Sequence, residues 1–128
     1  MELMVFDEVL ELAKSVSHFT IAGEGNVSVR DGDSMLIKAS GSTLETMTDQ
    51  DLVRCDLDGK VFKDEEKKPS MEVSFHAWIL KSFPEINCVC HTHPTNTIKI
   101  LCSGCTHDFA NKRLFPDQVV RNGTKSCI

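Results

Sequence analysis

The chain has 128 residues, of which 41% are hydrophobic and 26% charged, and its net charge is −5. This length predicts one small domain, the composition excludes a wholly disordered chain, and the acidic balance offers no basic surface for a nucleic acid or an anionic membrane. No apolar run approaches the roughly 20 residues of a membrane span. Acidic residues inside the apolar N-terminal stretch argue against a signal peptide, so the six cysteines predict reduced thiols in a cytoplasmic protein.

The first half of the chain predicts one helix followed by two hairpins. Residues 4–16 place their apolar side chains on one helical stripe, and the two glycines of the segment AGEGN end that helix. Predicted strands 27–30 and 35–38 flank the turn DGDS. Segments 52–56 and 61–62 flank a second turn, in which an Asp-Gly pair is a typical hairpin signal.

The second half predicts two more helices around one strand. The charge run 63–68 is typical of a solvated loop, and Ser70 is a good N-cap for a helix that ends at Phe83-Pro84. The short apolar segment 86–91 predicts a strand, and residues 95–102 predict another helix. Helices that alternate with antiparallel hairpins indicate a layered α/β or α+β domain.

The sharpest chemical signal is the pair His91 and His93, separated by one residue. Side chains on a strand alternate between faces with period two, so both imidazoles should point the same way. That arrangement suits chelation of zinc or a similar divalent metal. A surface coincidence explains such a pair equally well, although its place at the end of an apolar strand favours a site.

Glu72 is the candidate acid–base residue. It follows Ser70 closely, so it should lie in the first turn of the predicted helix, where the helix dipole favours an ionised carboxylate. A plain structural first-turn acid fits this position too. His76 is four residues later on the same helix face, which favours a packing or supporting role over a ligand role.

Two loops of small residues are candidate anion sites. Gly25-Asn26 precedes a predicted strand, and Ser40-Gly41-Ser42 follows one. Such loops expose backbone N–H groups and hydroxyls that can hold a phosphate, but each is also an ordinary turn sequence.

A structural zinc site is a competing interpretation of the cysteines. Cys102 and Cys105 have the spacing of a zinc knuckle. The other members of this constellation are Cys88, Cys90, His91, His93 and His107. Against it, Cys88 and Cys90 should project from the strand face opposite to His91.

Five segments occur together in one order: AGEGNVSVR (22–30), LIKASGS (36–42), DLDGK (56–60), PSMEVSFHAWIL (69–80) and HTHP (91–94). In these segments the chain resembles the class II aldolase/adducin family, whose best-known members are zinc-dependent fuculose-phosphate and ribulose-phosphate enzymes. The resemblance covers nearly the whole chain.

The resemblance implies a three-layer α/β/α sandwich with a mostly antiparallel central sheet. It implies a catalytic divalent metal, usually zinc, held by three histidines, of which His91 and His93 match the first two. Glu72 matches the acid–base carboxylate. The residues that match the binding loops for the substrate phosphate are Gly25, Asn26, Ser40, Gly41 and Ser70.

The activity that the resemblance implies is aldolase-type cleavage of a small sugar phosphate. Two alternatives within the family stay open: a ketose-phosphate dehydratase and a non-catalytic, adducin-like assembly domain. The resemblance also implies a homo-oligomer, with a tetramer as the family default.

The chain departs from the family pattern at several positions. The third metal ligand usually comes far downstream, whereas the sequence ends at Ile128 and His107 is the only later histidine. Met71 stands where phosphate-binding members usually have a second serine, and Gly23 where a hydroxyl residue is common. We therefore expect a single domain over residues 1–128 that lacks the C-terminal part of the family domain.

Overall fold

The computed structural model describes residues 2–21 and 24–104. The chain groups into two compact units, Met1–His93 and Pro94–Ile128, so the expectation of a single domain stays a prediction. The first unit contains α1 (Glu2–Val16), β1 (Asn26–Asp31), β2 (Ser34–Lys38), β3 (Leu52–Asp56), α2 (Val73–Ser82) and β4 (Cys88–His91), and the second contains α3 (Thr95–Cys102). No helix in these described ranges is both long and apolar enough to cross a membrane.

The four strands form one sheet in the order β3-β2-β1-β4, and every neighbouring pair is antiparallel. β1 and β2 form the predicted hairpin, in which Ser28 is opposite Ile37. β1 also pairs with β4, which places Asn26 opposite His91. The amino end of β1 and the carboxyl ends of β2 and β4 therefore meet at one end of the sheet.

Alternation along the strands gives the sheet two apolar faces. One face packs Val27, Val29, Leu36 and Leu52 with Val9 and Ala13 of α1. The other packs Met35, Ile37, Val53, Cys55 and Val89 with Ala77 and Leu80 of α2. A helix thus covers each face, and the predicted α/β/α sandwich with an antiparallel sheet is confirmed.

The α2 side of β1 also carries polar side chains, and α2 and the chain that follows it supply their partners. Ser28 is buried with its Oγ 2.6 Å from Nδ1 of the buried His76. The Arg30 guanidinium donates to the backbone oxygens of Leu80, Phe83 and Ile86, the last at 3.1 Å from Nη2. Arg30 therefore satisfies the Leu80 and Phe83 carbonyls, which the end of α2 leaves without an internal partner, and also the Ile86 carbonyl in the chain before β4.

Three predicted boundaries are wrong. Ser70 is not an N-cap, because the chain stays extended beside β2: Ala39 bridges Pro69, and the Ser70 N–H donates to the Lys38 oxygen at 2.9 Å. Glu72 occupies the N-cap position instead of the first turn.

The predicted strand 86–91 begins only at Cys88. The second hairpin closes through its Asp-Gly turn, but beyond the turn it reaches only one isolated bridge, between Cys55 and Val61. The charged run that follows is too polar to continue the strand as part of a half-buried sheet.

We expect the fold to lose stability as the pH falls from about 6.5 to about 4, in part because of His76. Burial lowers the pKa of His76 from 6.5 to about 4, against the opposing charge of Glu72. In this window the unfolded chain binds a proton at His76 and the folded chain does not. The resulting loss in the free energy of unfolding is absent above about pH 6.5, grows as the pH falls, and reaches about 3 kcal/mol near pH 4.

Urea-unfolding midpoints measured between about pH 4.5 and 7.5 test this expectation. His76→Gln should flatten the pH dependence, whereas His18→Gln, at an exposed position, should leave it as in the parent chain. An unchanged slope in His76→Gln would contradict the assignment.

Candidate active site

An open cleft of about 330 Å³ lies at the end of the sheet where β1, β2 and β4 meet. All eight candidate residues line it: Gly25, Asn26, Ser40, Gly41, Ser70, Glu72, His91 and His93. Three further residues, Glu24, Lys38 and Met71, complete the lining. The antiparallel topology therefore brings together segments that lie far apart in the sequence.

The two histidines converge on each other. Their Nε2 atoms are 3.1 Å apart, although only His91 belongs to β4. Nδ1 of His91 contacts Oε2 of Glu72, and Nδ1 of His93 is 3.3 Å from Oε2 of Glu24. Because an ionised carboxylate only accepts hydrogen bonds, a neutral imidazole in either position carries its hydrogen on Nδ1. Both Nε2 lone pairs then face the same point.

This arrangement fits a divalent metal. Two lone pairs 3.1 Å apart repel unless a proton or a metal cation lies between them, and two nitrogens on one tetrahedral zinc are about 3.3 Å apart when each Zn–N bond is 2.0–2.1 Å. Carboxylates behind Nδ1 are the usual support for metal-binding histidines. Within residues 2–21 and 24–104, however, no group of three His, Cys, Asp or Glu residues could hold a metal ion, so His91 and His93 would provide an incomplete ligand set.

Glu72 connects His91 with Asn26, the residue opposite it in the sheet. Its Oε2 accepts a hydrogen bond from Nδ2 of Asn26 at 3.1 Å and contacts His91. Burial raises the pKa of Glu72, but the hydrogen bonds from Asn26 and His91, together with the electrostatic attraction of the His91 and His76 rings in their protonated forms, outweigh it, so the net shift is downward. Glu72 is therefore an ionised carboxylate, able to accept a proton, whose side chain is 40% exposed to the cleft.

Lys38 is a residue of this cleft that the sequence analysis missed. Its side chain is buried, and Nζ donates to the backbone oxygens of Ala39 at 3.1 Å and Ser42 at 2.6 Å. Burial lowers its pKa, and the charge of Asp51 opposes this shift. The ammonium group braces the Ser40-Gly41 loop, and together they form a cationic, donor-rich surface suited to an anion. The sequence signal that could have identified Lys38 is its position at the end of a buried strand, directly before a loop of small residues.

Gly25 is required by the close approach of two backbone segments. Its φ is +81°, and a Cβ there would lie 2.7 Å from the backbone oxygen of His91 and 2.7 Å from Cγ2 of Thr20. Gly41 has a similar φ of +85° but open space around it. Gly25 therefore controls how closely the chain before β1 packs against the end of β4.

The residues of the competing zinc site do not gather in the described part of the chain. Cys88 and Cys90 are paired with Val29 and Val27, on the sheet face opposite to His91. Cys102 is an exposed free thiol at the end of α3. Cys105, His107 and Gly23 lie outside the described residues.

Comparisons with known proteins agree on one family. The profile of the class II aldolase and adducin N-terminal domain matches residues 8–120. An L-fuculose phosphate aldolase of Methanocaldococcus jannaschii is 36% identical over 75 residues, which cover 59% of this chain and 40% of that protein. A 3-oxo-tetronate 4-phosphate decarboxylase of Haemophilus influenzae is 33% identical over 85 residues, 66% of this chain and 40% of that protein.

A solved structure of L-fuculose 1-phosphate aldolase superposes with a TM-score of 0.68 at 27% identity, over 77% of this chain and 48% of that one. The chain therefore spans less than half of the length of these relatives.

Gly25→Ala should destabilise the fold more than Gly41→Ala does. The two positions share a positive φ, so the cost of a left-handed alanine, about 1 kcal/mol, is common to both. Only Gly25→Ala adds contact with Thr20 and with the His91 backbone, which should raise the total to about 2–4 kcal/mol. The difference between the urea-unfolding free energies of the two variants measures the contact, and equal values would contradict it.

Proposed function

The chain belongs to the class II aldolase and adducin N-terminal domain family, and from this premise we propose that its cleft binds a small sugar phosphate and cleaves a carbon–carbon bond with the help of a divalent metal, preferably zinc. One observation carries the proposal: a convergent pair of imidazoles, an ionised carboxylate and a cationic small-residue loop share one cleft. The relatives named as aldolases support the reaction class.

His91 and His93 would hold the metal through Nε2. When bound, a divalent metal supplies Lewis-acid stabilisation of the negative charge that cleavage leaves on the ketose fragment. Glu24 and Glu72, behind the two Nδ1 atoms, keep both imidazoles in the tautomer that presents Nε2 to the cleft. A further ligand has to come from water, the substrate or residues beyond the described ones.

Glu72 is the proton carrier in this proposal. Cleavage next to a hydroxyl-bearing carbon releases the hydroxyl proton as the aldehyde forms, and the remaining carbanion carbon must gain a proton. An ionised carboxylate within reach can take up the first proton and return one to carbon, so no external acid is consumed. The lowered pKa of Glu72 keeps it ready to accept.

The substrate phosphate would bind at the opposite wall. Lys38 supplies charge, Ser40 and Ser70 supply hydroxyls, and the Gly41 backbone lies open to a ligand. Gly25 and Asn26 also line the cleft. The Asn26 side-chain amide already bonds to Glu72 and His76, so it would contribute to the shape of the phosphate site and not donate to the phosphate. One buried lysine and neutral donors can orient a phosphate without a wide basic surface, which agrees with the net charge of −5.

Self-association fits the outer side of α2. Phe75 and Trp78 of α2, three residues apart, are 51% and 61% exposed, and Met71, which precedes the helix and lines the cleft, is 94% exposed. A second copy of the chain would cover these apolar side chains. We propose a homo-oligomer, with a tetramer as the family default. Cys55, Cys88, Cys90 and Cys102 are free thiols, which fits the expected cytoplasmic location.

Metal content tests the metal site. Elemental analysis of the purified chain should give about one zinc per chain, bound more weakly than at a complete three-histidine site. His91→Ala/His93→Ala should abolish it, and the matched pair Cys102→Ser/Cys105→Ser should retain it. Metal that survives loss of the two histidines, or no metal at all, would overturn the site.

Turnover tests the reaction. The zinc-loaded chain is incubated with a panel of ketose 1-phosphates, beginning with L-fuculose 1-phosphate, and aldehyde release is measured. Glu72→Gln should lower kcat about 100-fold or more, while Glu66→Gln, exposed and outside the cleft, should match the parent chain. Loss of water without aldehyde would indicate the dehydratase alternative, and loss of CO2 a decarboxylase. No turnover in an oligomeric chain would favour the adducin-like assembly domain.

A further inference from the structure

His76 is a fully buried residue of α2 that does not line the cleft and has no part in the proposed chemistry. A single residue, Asn26, connects His76 to the site by hydrogen bonds. Its Nε2 contacts Oδ1 of Asn26, and its Nδ1 is 2.6 Å from Oγ of Ser28. Asn26 in turn contacts Glu72. A chain of four polar side chains therefore runs from the interior of the sheet to the carboxylate.

The direction of every hydrogen bond in this chain follows from its cleft end. The Glu72 carboxylate can only accept, so Asn26 must offer its amino group, Nδ2, to Oε2 at 3.1 Å. Oδ1 of Asn26 then faces His76 as an acceptor, which requires a hydrogen on Nε2. The neutral ring therefore has its lone pair on Nδ1 and accepts from the Ser28 hydroxyl.

The opposite amide orientation is unfavourable. It would place Oδ1 of Asn26 against the carboxylate and Nδ2 against the His76 ring. Two oxygens would then face each other without a hydrogen between them, in a site where both are partly removed from water. The Glu72 carboxylate and a donor at Nε2 of His76 therefore favour the same amide orientation, and the hydrogen bond from His76 holds Oδ1 of Asn26 in it.

We infer that His76 is a positioning residue, which fixes the amide orientation of Asn26 and through it holds the Glu72 carboxylate in the cleft. This inference rests on the proposed function, in which Glu72 carries the proton. The side chain of His76 makes no hydrogen bond with Glu72 and does not line the cleft. The backbone N–H of His76 donates to the backbone oxygen of Glu72 at 3.1 Å, and every variant at this position keeps that contact. The effect of the side chain on the reaction should therefore fall on the chemical step and not on the binding of the sugar phosphate.

Three variants separate this role from simple packing. His76→Gln keeps an amide donor that can reach Oδ1 of Asn26, and His76→Leu keeps volume but has no donor. Leu80→Ala is the matched structural control, because Leu80 is fully buried one helical turn further along α2 and its side chain has no hydrogen-bonding group.

The first measurement is NMR and needs no activity. Long-range proton–nitrogen correlations should show His76 with its hydrogen on Nε2. The side-chain amide protons of Asn26 should exchange with water about tenfold or more faster in His76→Leu, and near the parent rate in His76→Gln and Leu80→Ala. A hydrogen on Nδ1, or equal exchange in His76→Leu and the parent chain, would overturn the inference. If His76→Leu does not fold, the inference is judged by the tautomer of His76 in the parent chain and by the Asn26 amide exchange rate in His76→Gln.

The second measurement is steady-state cleavage by the zinc-loaded parent chain and the same variants. His76→Leu should lower kcat about tenfold or more with KM within about twofold, and His76→Gln should restore most of kcat. An active His76→Leu variant with the parent kcat would overturn the positioning role. If the parent chain does not turn over, the proposed function fails while the NMR result still judges the link between His76 and Asn26.

Discussion

The antiparallel pairing of β1 with β4 is the constraint on which the cleft depends. It sets Asn26 opposite His91, so Asn26, which contacts the Glu72 carboxylate, begins β1 at the point where His91, the first of the two cleft histidines, ends β4. A register shift of β4 by one residue would turn His91 to the α1 face and away from Asn26. Gly25 allows the preceding chain to come close to the His91 backbone, which keeps this end of the sheet compact.

Every second residue of β1 is polar on the face that meets α2. Asn26, Ser28 and Arg30 all point to this helix or to the chain after it, and each has partners there. Because unpaired buried polar groups are costly, α2 cannot slide along the sheet without breaking all three contacts. The apolar contacts of Ala77 and Leu80 hold α2 against the sheet. The three polar side chains of β1 select one position for the helix and therefore for Glu72 at its N-cap.

Short-range patterns predicted a layered domain and the order of its elements, and the family resemblance supplied the three layers and most of the residues that line the cleft. Periods of two and of about 3.6 residues place the strands and helices, and His91 with His93 is visible as a spaced pair. Lys38 and Glu24 could not be assigned in this way. Their roles arise from contacts with Ser42 and His93, which depend on how loops close. Ser70 was wrong as an N-cap because a bridge to β2 competes with the local helix signal.

The charges of the lining connect the two ligands of the proposed function. Two carboxylates, on Glu24 and Glu72, stand against one ammonium, on Lys38, so with neutral histidines the cleft carries one net negative charge, which opposes the binding of a phosphate. A dication between the histidines would reverse that sign. Under the proposed function, metal and phosphate would then be thermodynamically linked ligands, each increasing the affinity for the other by the same factor.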